Sequence, residues 1–332
     1  MTITELLSQF RALGGIADNI SIRKGEHGHG LFAVNPNQPV RLVTPVQLLI
    51  SPTLLLVTSD GQIRVKSASG LSAEVTAFHE HYQRTLSWGA GGLGYINQYR
   101  QQLRALSASL KTFLQILGCR DDLSLQLSPR EAFNSHCISR QISVKGVSML
   151  MPMLELVNHS DEGAPYVVMQ DGVSLSGIFD DEVVARYRRH MDAFHFFFNY
   201  HFAKPSRTTL SCDVHIDIPR SRSLRISRLD GLSEARKGYR VPQIIASKNE
   251  IHLSFVELVN LDEPNHPRQV FLELLMEQGI PISSVNQIFD GLLEHNREVL
   301  QDFLKACEGE EGLIIQNLKT IAGYQLANLN KS

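Results

Sequence analysis

Pro152-Met153-Leu154-Glu155-Leu156-Val157-Asn158-His159-Ser160 ends an apolar run on a carboxamide and an imidazole. Such a run reads as buried backbone that comes out of the core at the polar residues. Taken alone, the segment is as well an Asx-turn after a strand, since Asn hydrogen-bonds backbone a little further along. Glu-Leu-Val-Asn also recurs at 257–260, continued by Leu261-Asp262. Four letters therefore carry no function, and the meaning of 155–160 depends on the order of the elements around it.

The chain has 332 residues, enough for one large domain or two moderate ones. A hydrophobic content of 43% is ample for a core, and 20% charged residues is ordinary for a globular protein. The net charge of -2 argues against binding nucleic acid through a general phosphate field. No apolar run is long enough for a bilayer; the densest, around Phe194–Phe198, is short and flanked by His190 and His201. The N-terminus lacks a basic-then-apolar signal layout, so a cytoplasmic location is expected. Cys119, Cys137, Cys212 and Cys307 are scattered with no paired spacing, which predicts buried thiols rather than a zinc or redox site.

Ile3, Leu6, Leu7, Phe10 and Leu13 have helical spacing and stop at Gly14-Gly15. From Ile20 to Leu56 the texture is that of short strands broken by glycine and proline. Residues 72–118 are largely helical, and Tyr99, Leu103, Leu106, Leu110 and Leu114 predict one amphipathic stretch over 95–117. Ser128-Pro129 opens another helix. Strand and loop texture returns at 142–187, an aromatic buried segment covers 190–203, and strands are predicted at 208–218 and 251–259. Helices are expected at 270–278, 284–307 and 313–328. This order is not the regular alternation of a doubly wound parallel sheet. It indicates an α+β fold of short β-sheets with a helical insertion at about 70–130 and a mostly helical C-terminal domain.

No phosphate loop, zinc helix or nucleophile elbow is present. Gly89-Ala90-Gly91-Gly92-Leu93-Gly94 has dinucleotide-loop spacing but follows no strand, so it reads as a helix–helix connection. His79-Glu80-His81 reads as a solvated helix face, because successive helical positions do not converge on a metal. Four elements remain, in order. The first is Gly28-His29-Gly30-Leu31, a turn whose glycines let backbone approach a ligand, or simply close a hairpin. Ser139-Arg140 comes next, then Glu155–Ser160. The last is Glu182-Val183-Val184-Ala185-Arg186-Tyr187, with Tyr200 thirteen residues beyond Tyr187.

In this order the elements resemble those of the SET-domain protein methyltransferases, in particular the class of the Rubisco large-subunit lysine methyltransferase. The resemblance spans nearly the whole chain, with 1–204 as the SET domain and 205–332 as a helical, substrate-binding domain. It implies S-adenosyl-L-methionine as cofactor, S-adenosyl-L-homocysteine as product, and a protein substrate with no metal, nucleic acid or membrane. Gly28, His29, Gly30 and Leu31 would then line the cofactor, and Arg140 would pair with its carboxylate through a guanidinium fork. Glu155, Asn158 and His159 would complete the cofactor side, Tyr166 and Tyr187 would line the substrate channel, and Tyr200 would be the catalytic tyrosine.

Several positions depart from the class pattern. Glu155 replaces its Asp, His29 stands where an acidic residue is common, and Arg188 follows Tyr187 where a small residue is usual. His201 replaces the Gly after the catalytic tyrosine, where glycine would permit a positive φ that His adopts less readily. The acceptor is a lysine ε-amine in the leading reading. A histidine acceptor or a catalytically silent SET-like binding protein are the alternatives, and the sequence leaves monomer and homodimer open.

Overall fold

The computed structural model describes residues 2–25, 28–123, 126–187, 191–218, 222–228, 234–236 and 239–331. Its helices are α1 (Ile3–Ala12), α2 (Ala73–Thr85), α3 (Gly92–Ala105), α4 (Ala108–Ile116), α5 (Pro129–Ile138), α6 (Ala193–Tyr200), α7 (His266–Met276), α8 (Ile282–Ala306) and α9 (Leu313–Leu329). Local chemistry sets several starts. Thr2 with Glu5, and Ser128 with Glu131, form reciprocal capping boxes for α1 and α5. Ser72 caps α2. The stretch expected to be continuous over 95–117 is two helices. Ser107 accepts from Leu110 N and starts α4 afresh, while Leu103, Leu106, Leu110 and Leu114 all stay buried. Arg188 lies outside the described residues.

Contacts divide the chain into two compact units, residues 1–100 with 126–188, and residues 101–125 with 189–332. The first holds small sheets. In the largest, the strand order is Ile16–Asp18, Val40–Pro45, Gly172–Gly177 and Val167–Met169, all neighbours antiparallel. Its core gathers Leu6 and Phe10 of α1, Phe78 and Tyr82 of α2, Leu31, Leu42, Leu175, Leu154 and Val157. A second cluster joins Trp88, Ile96, Phe133, Ile50 and Leu150. His79 belongs with this interior rather than with solvent. It is 0% exposed, because it shares the buried face of α2 with Val75, Phe78 and Tyr82 at helical spacing. Glu80 is itself partly buried and receives Arg64 at 2.8 Å and Val65 N at 3.1 Å. Gly89 does connect two helices, and an added Cβ there would meet the Arg84 carbonyl carbon at 2.7 Å.

In the second unit, Val214–Asp217, Ser223–Ser227, Glu250–Ser254 and Gln243–Ala246 form a mixed sheet, the middle pair parallel. Thr208–Leu210 pairs with Glu257–Asn260, the second copy of Glu-Leu-Val-Asn, here buried throughout. Polar side chains pin helices to these strands. Asn296 of α8 accepts from Cys212 N at 2.8 Å, and Gln325 of α9 donates to Thr208 O at 3.2 Å.

Candidate functional site

The strand Gly28–Ala33 pairs antiparallel with Ile20–Gly25. At its start Gly28 has φ +101, a backbone state open to glycine, with nothing near where a Cβ would stand. Residues 181–183 run along the other side of this strand. Ala33 N donates to Asp181 O at 2.7 Å and Val183 N to Leu31 O at 2.8 Å. The same chain continues as Val184–Arg186, parallel to Asn158–Pro165, with Val184 opposite Asn158. Gly163 permits that approach, since a Cβ there would lie 2.6 Å from Ala185 backbone. One short segment thus lays three distant stretches of sequence side by side. At their junction Asn158 Nδ2 donates to Glu182 Oε1 at 2.6 Å. A Cβ on Gly30 would stand 3.0 Å from that oxygen and 3.4 Å from the amide nitrogen.

His159 is held on both ring nitrogens. Nδ1 accepts from Tyr187 N at 3.3 Å, so the neutral ring carries its proton on Nε2, which lies 3.4 Å from Asp161 Oδ1. Tyr187 packs against His159 with ring centres 5.1 Å apart, and Tyr166 stacks on Tyr187 at 6.4 Å. Both phenols secure the turn before Asn158. Tyr187 OH donates to Val157 O at 2.6 Å, and Tyr166 OH to Leu154 O at 3.2 Å.

Arg140 follows the end of α5 and donates to Ser139 Oγ at 2.7 Å and His136 O at 3.3 Å. Glu155 turns its carboxylate inward, where burial pushes its pKa up. The Ser87 and Tyr82 hydroxyls and the Arg140 charge oppose this in part. Neither carboxylate oxygen, however, reaches hydrogen-bond geometry with a described residue. The Tyr82 hydroxyl accepts from Met153 N at 3.1 Å, and burial followed by the Glu155 charge drives its own pKa up. Met153 is fully buried at φ +69, a costly state held by that bond and by Thr44 Oγ1, which donates to Pro152 O at 2.7 Å.

Tyr200 belongs to the second unit, at the end of α6. Its ring lies 4.6 Å from Phe196 and 6.5 Å from Phe202. His201 does adopt the left-handed state, at φ 66, and closes α6 by donating its N–H to Phe197 O at 2.7 Å. The histidine thus takes the conformation for which glycine is usual.

Gly30, Asn158, His159, Tyr166 and Tyr187 therefore meet in the first unit, with Arg140 and Glu155 in a neighbouring polar cluster. Two members had no assigned role in the sequence. Glu182 could have been suspected as a charge opening a strand five residues before Tyr187. Tyr82 sits in an ordinary amphipathic helix and gives no such signal. A cleft of about 290 Å³ lined by Asp60, Arg64, Arg84 and Trp88 contains none of these residues. Among the described residues no group of three or more His, Cys, Asp or Glu is placed to hold a metal ion, and no helix is long and apolar enough to cross a membrane.

No protein-family model matches the chain, and no curated protein matches it. Among solved structures it is similar to Rubisco LSMT bound to AdoMet, at 15% identity and TM-score 0.49, covering 99% of this chain and 90% of that one. It is also similar to the SET domain of LSMT bound to lysine and AdoHcy, at 15% identity and TM-score 0.45, covering 99% and 89%. Rubisco LSMT bound to sinefungin and monomethyllysine gives 14% identity and TM-score 0.48, covering 99% and 90%.

Proposed function

We propose that this chain is an S-adenosylmethionine-dependent methyltransferase of the SET type, acting on a protein side chain, foremost the lysine ε-amine. The observation that carries the reading is the convergence of Gly30, Asn158 and Glu182 beside His159 and Tyr187. Gly30 stands more than a hundred positions before the others in the chain. A strand bare of side chain at Gly30, next to a carboxamide and a carboxylate, fits a ligand with a nucleoside and a cationic amino-acid end.

When bound, the cofactor supplies a methyl group already activated by its sulfonium charge. The protein's share is alignment and exclusion of water. Asn158 offers its amide oxygen to the ligand's ammonium, and Arg140 offers guanidinium N–H groups to the carboxylate. The Gly28–Leu31 backbone and that of His159 bound the nucleoside, with Glu155 supporting the turn from behind. Tyr166 and Tyr187 are assigned to the acceptor side. Tyr200 is assigned as catalytic tyrosine from its spacing to Tyr187. The chain is read as a SET domain over 1–204 and a substrate-binding domain over 205–332.

Calorimetric titration with S-adenosylmethionine tests the reading. The parent is expected to bind, and Asn158→Ala to bind at least about tenfold more weakly. Tyr200→Phe is expected to bind like the parent but to lower radiolabelled methyl transfer to protein by on the order of a hundredfold. Amino-acid analysis of the labelled product identifies the acceptor. A parent that shows no binding rules out the enzyme.

A further inference from the structure

Glu182 opens the strand segment that joins Gly28–Ala33 to Asn158–Pro165, and it is half-buried there. Its Oε1 receives the Asn158 amide at 2.6 Å, and it has no ion pair among the described residues. Nearby Arg23 is engaged by Asp181 at 2.5 Å. An ionised carboxylate only accepts hydrogen bonds, so the Asn158 nitrogen must face Glu182 and the amide oxygen must face away. Without this partner the carboxamide has two nearly equivalent orientations, one of which turns N–H donors toward the ligand. An ammonium group needs the oxygen. Gly30 completes the arrangement, because a Cβ there would stand 3.0 Å from Glu182 Oε1.

We propose that Glu182 is a positioning residue that orients Asn158, presenting its amide oxygen to the ammonium of the cofactor's amino-acid end. The inference rests on the S-adenosylmethionine reading above. What matters in it is the acceptor oxygen of residue 182 rather than its charge. Glutamine keeps such an oxygen, although it can also donate and so leaves the second amide orientation open at a cost of about twofold; alanine keeps none.

The test titrates the full-length parent, Glu182→Gln and Glu182→Ala with S-adenosylmethionine, and with 5′-deoxy-5′-methylthioadenosine, which lacks the amino-acid end, at up to millimolar ligand. Glu182→Gln is expected to bind S-adenosylmethionine within about threefold of the parent, and Glu182→Ala at least about tenfold more weakly. The nucleoside fragment is expected to bind all three proteins alike. Equal binding of S-adenosylmethionine by parent and Glu182→Ala overturns the inference and leaves the function standing. So does an equal loss of both ligands in Glu182→Ala, which would mark a merely structural role. A loss in Glu182→Gln as large as in Glu182→Ala would assign the effect to charge and overturn it too. A parent that binds neither ligand removes the function itself. If Glu182→Ala does not fold, Asn158→Asp decides. Two facing carboxylates should abolish binding, and adding Glu182→Gln, which donates back to Asp, should restore it; no restoration overturns the inference.

Discussion

Glu155 is partly buried as a residue in the first unit, with both carboxylate oxygens out of solvent and without hydrogen-bond partners among the described residues. Burial raises its pKa, so the folded state favours the protonated acid. At pH values between the unfolded and the folded pKa, unfolding therefore releases a proton. The stability associated with this group is complete below the unfolded carboxylate range, near about 4.3, and declines as pH rises through the folded pKa. Glu155→Gln should remove that decline. Its stability advantage over the parent is expected to be near zero at pH 4 and about 1–2 kcal/mol at pH 8, read from urea unfolding at the two pH values. An advantage independent of pH would mean that ionisation is not the cause.

At the scale of elements, α6 carries Tyr200 and depends on a buried ion pair. Asp192 caps the helix by accepting from His195 N at 2.8 Å, and its other oxygen receives Leu210 N at 3.3 Å and the Arg228 guanidinium. Asp192 is 0% and Arg228 2% exposed. Burial lowers the Arg228 pKa to about 9, so the carboxylate offsets a real desolvation cost. Arg228 also donates to Leu210 O at 2.8 Å, tying the helix start to the strand Thr208–Leu210. Asp192→Ala should cost about 3–5 kcal/mol in denaturant unfolding, because it strands a buried charge and deletes a cap. Adding Arg228→Leu should recover part of that loss. A double variant no better than Asp192→Ala would show that the pair is not coupled. None of this was legible beforehand, since Asp192 and Arg228 lie far apart in the chain and neither stands in a motif. The cap at Ser107 was likewise hidden, because the apolar period runs across it unbroken.

For the molecule as a whole, the cysteines report on integrity. All four are buried. Burial raises the Cys212 thiol to about 12 and Cys307 to about 11, and Cys137 is driven higher still. Native protein at pH 8 should therefore show no fast thiol with Ellman's reagent, and all four should titrate in denaturant. A rapidly reacting thiol in the native state would contradict this burial.

What the sequence determined by itself was the succession of short strands and capped helices, the burial of the cysteines, and the ordered motif residues Gly28–Leu31, Arg140, Asn158–His159, Tyr187 and Tyr200. These depend on local periodicity, capping and spacing, which a linear reading can follow. Tertiary structure alone decided that Glu182 faces Asn158, that Tyr82 holds Met153 in a positive-φ state, and that His79 is interior. It also decided that His201 takes the left-handed conformation. The first two are set by the close approach of segments distant along the chain, where one hydrogen bond or one missing Cβ fixes a geometry that no local pattern encodes; His79 and His201 are set within α2 and α6, by the face that packs and by the closing bond to Phe197 O.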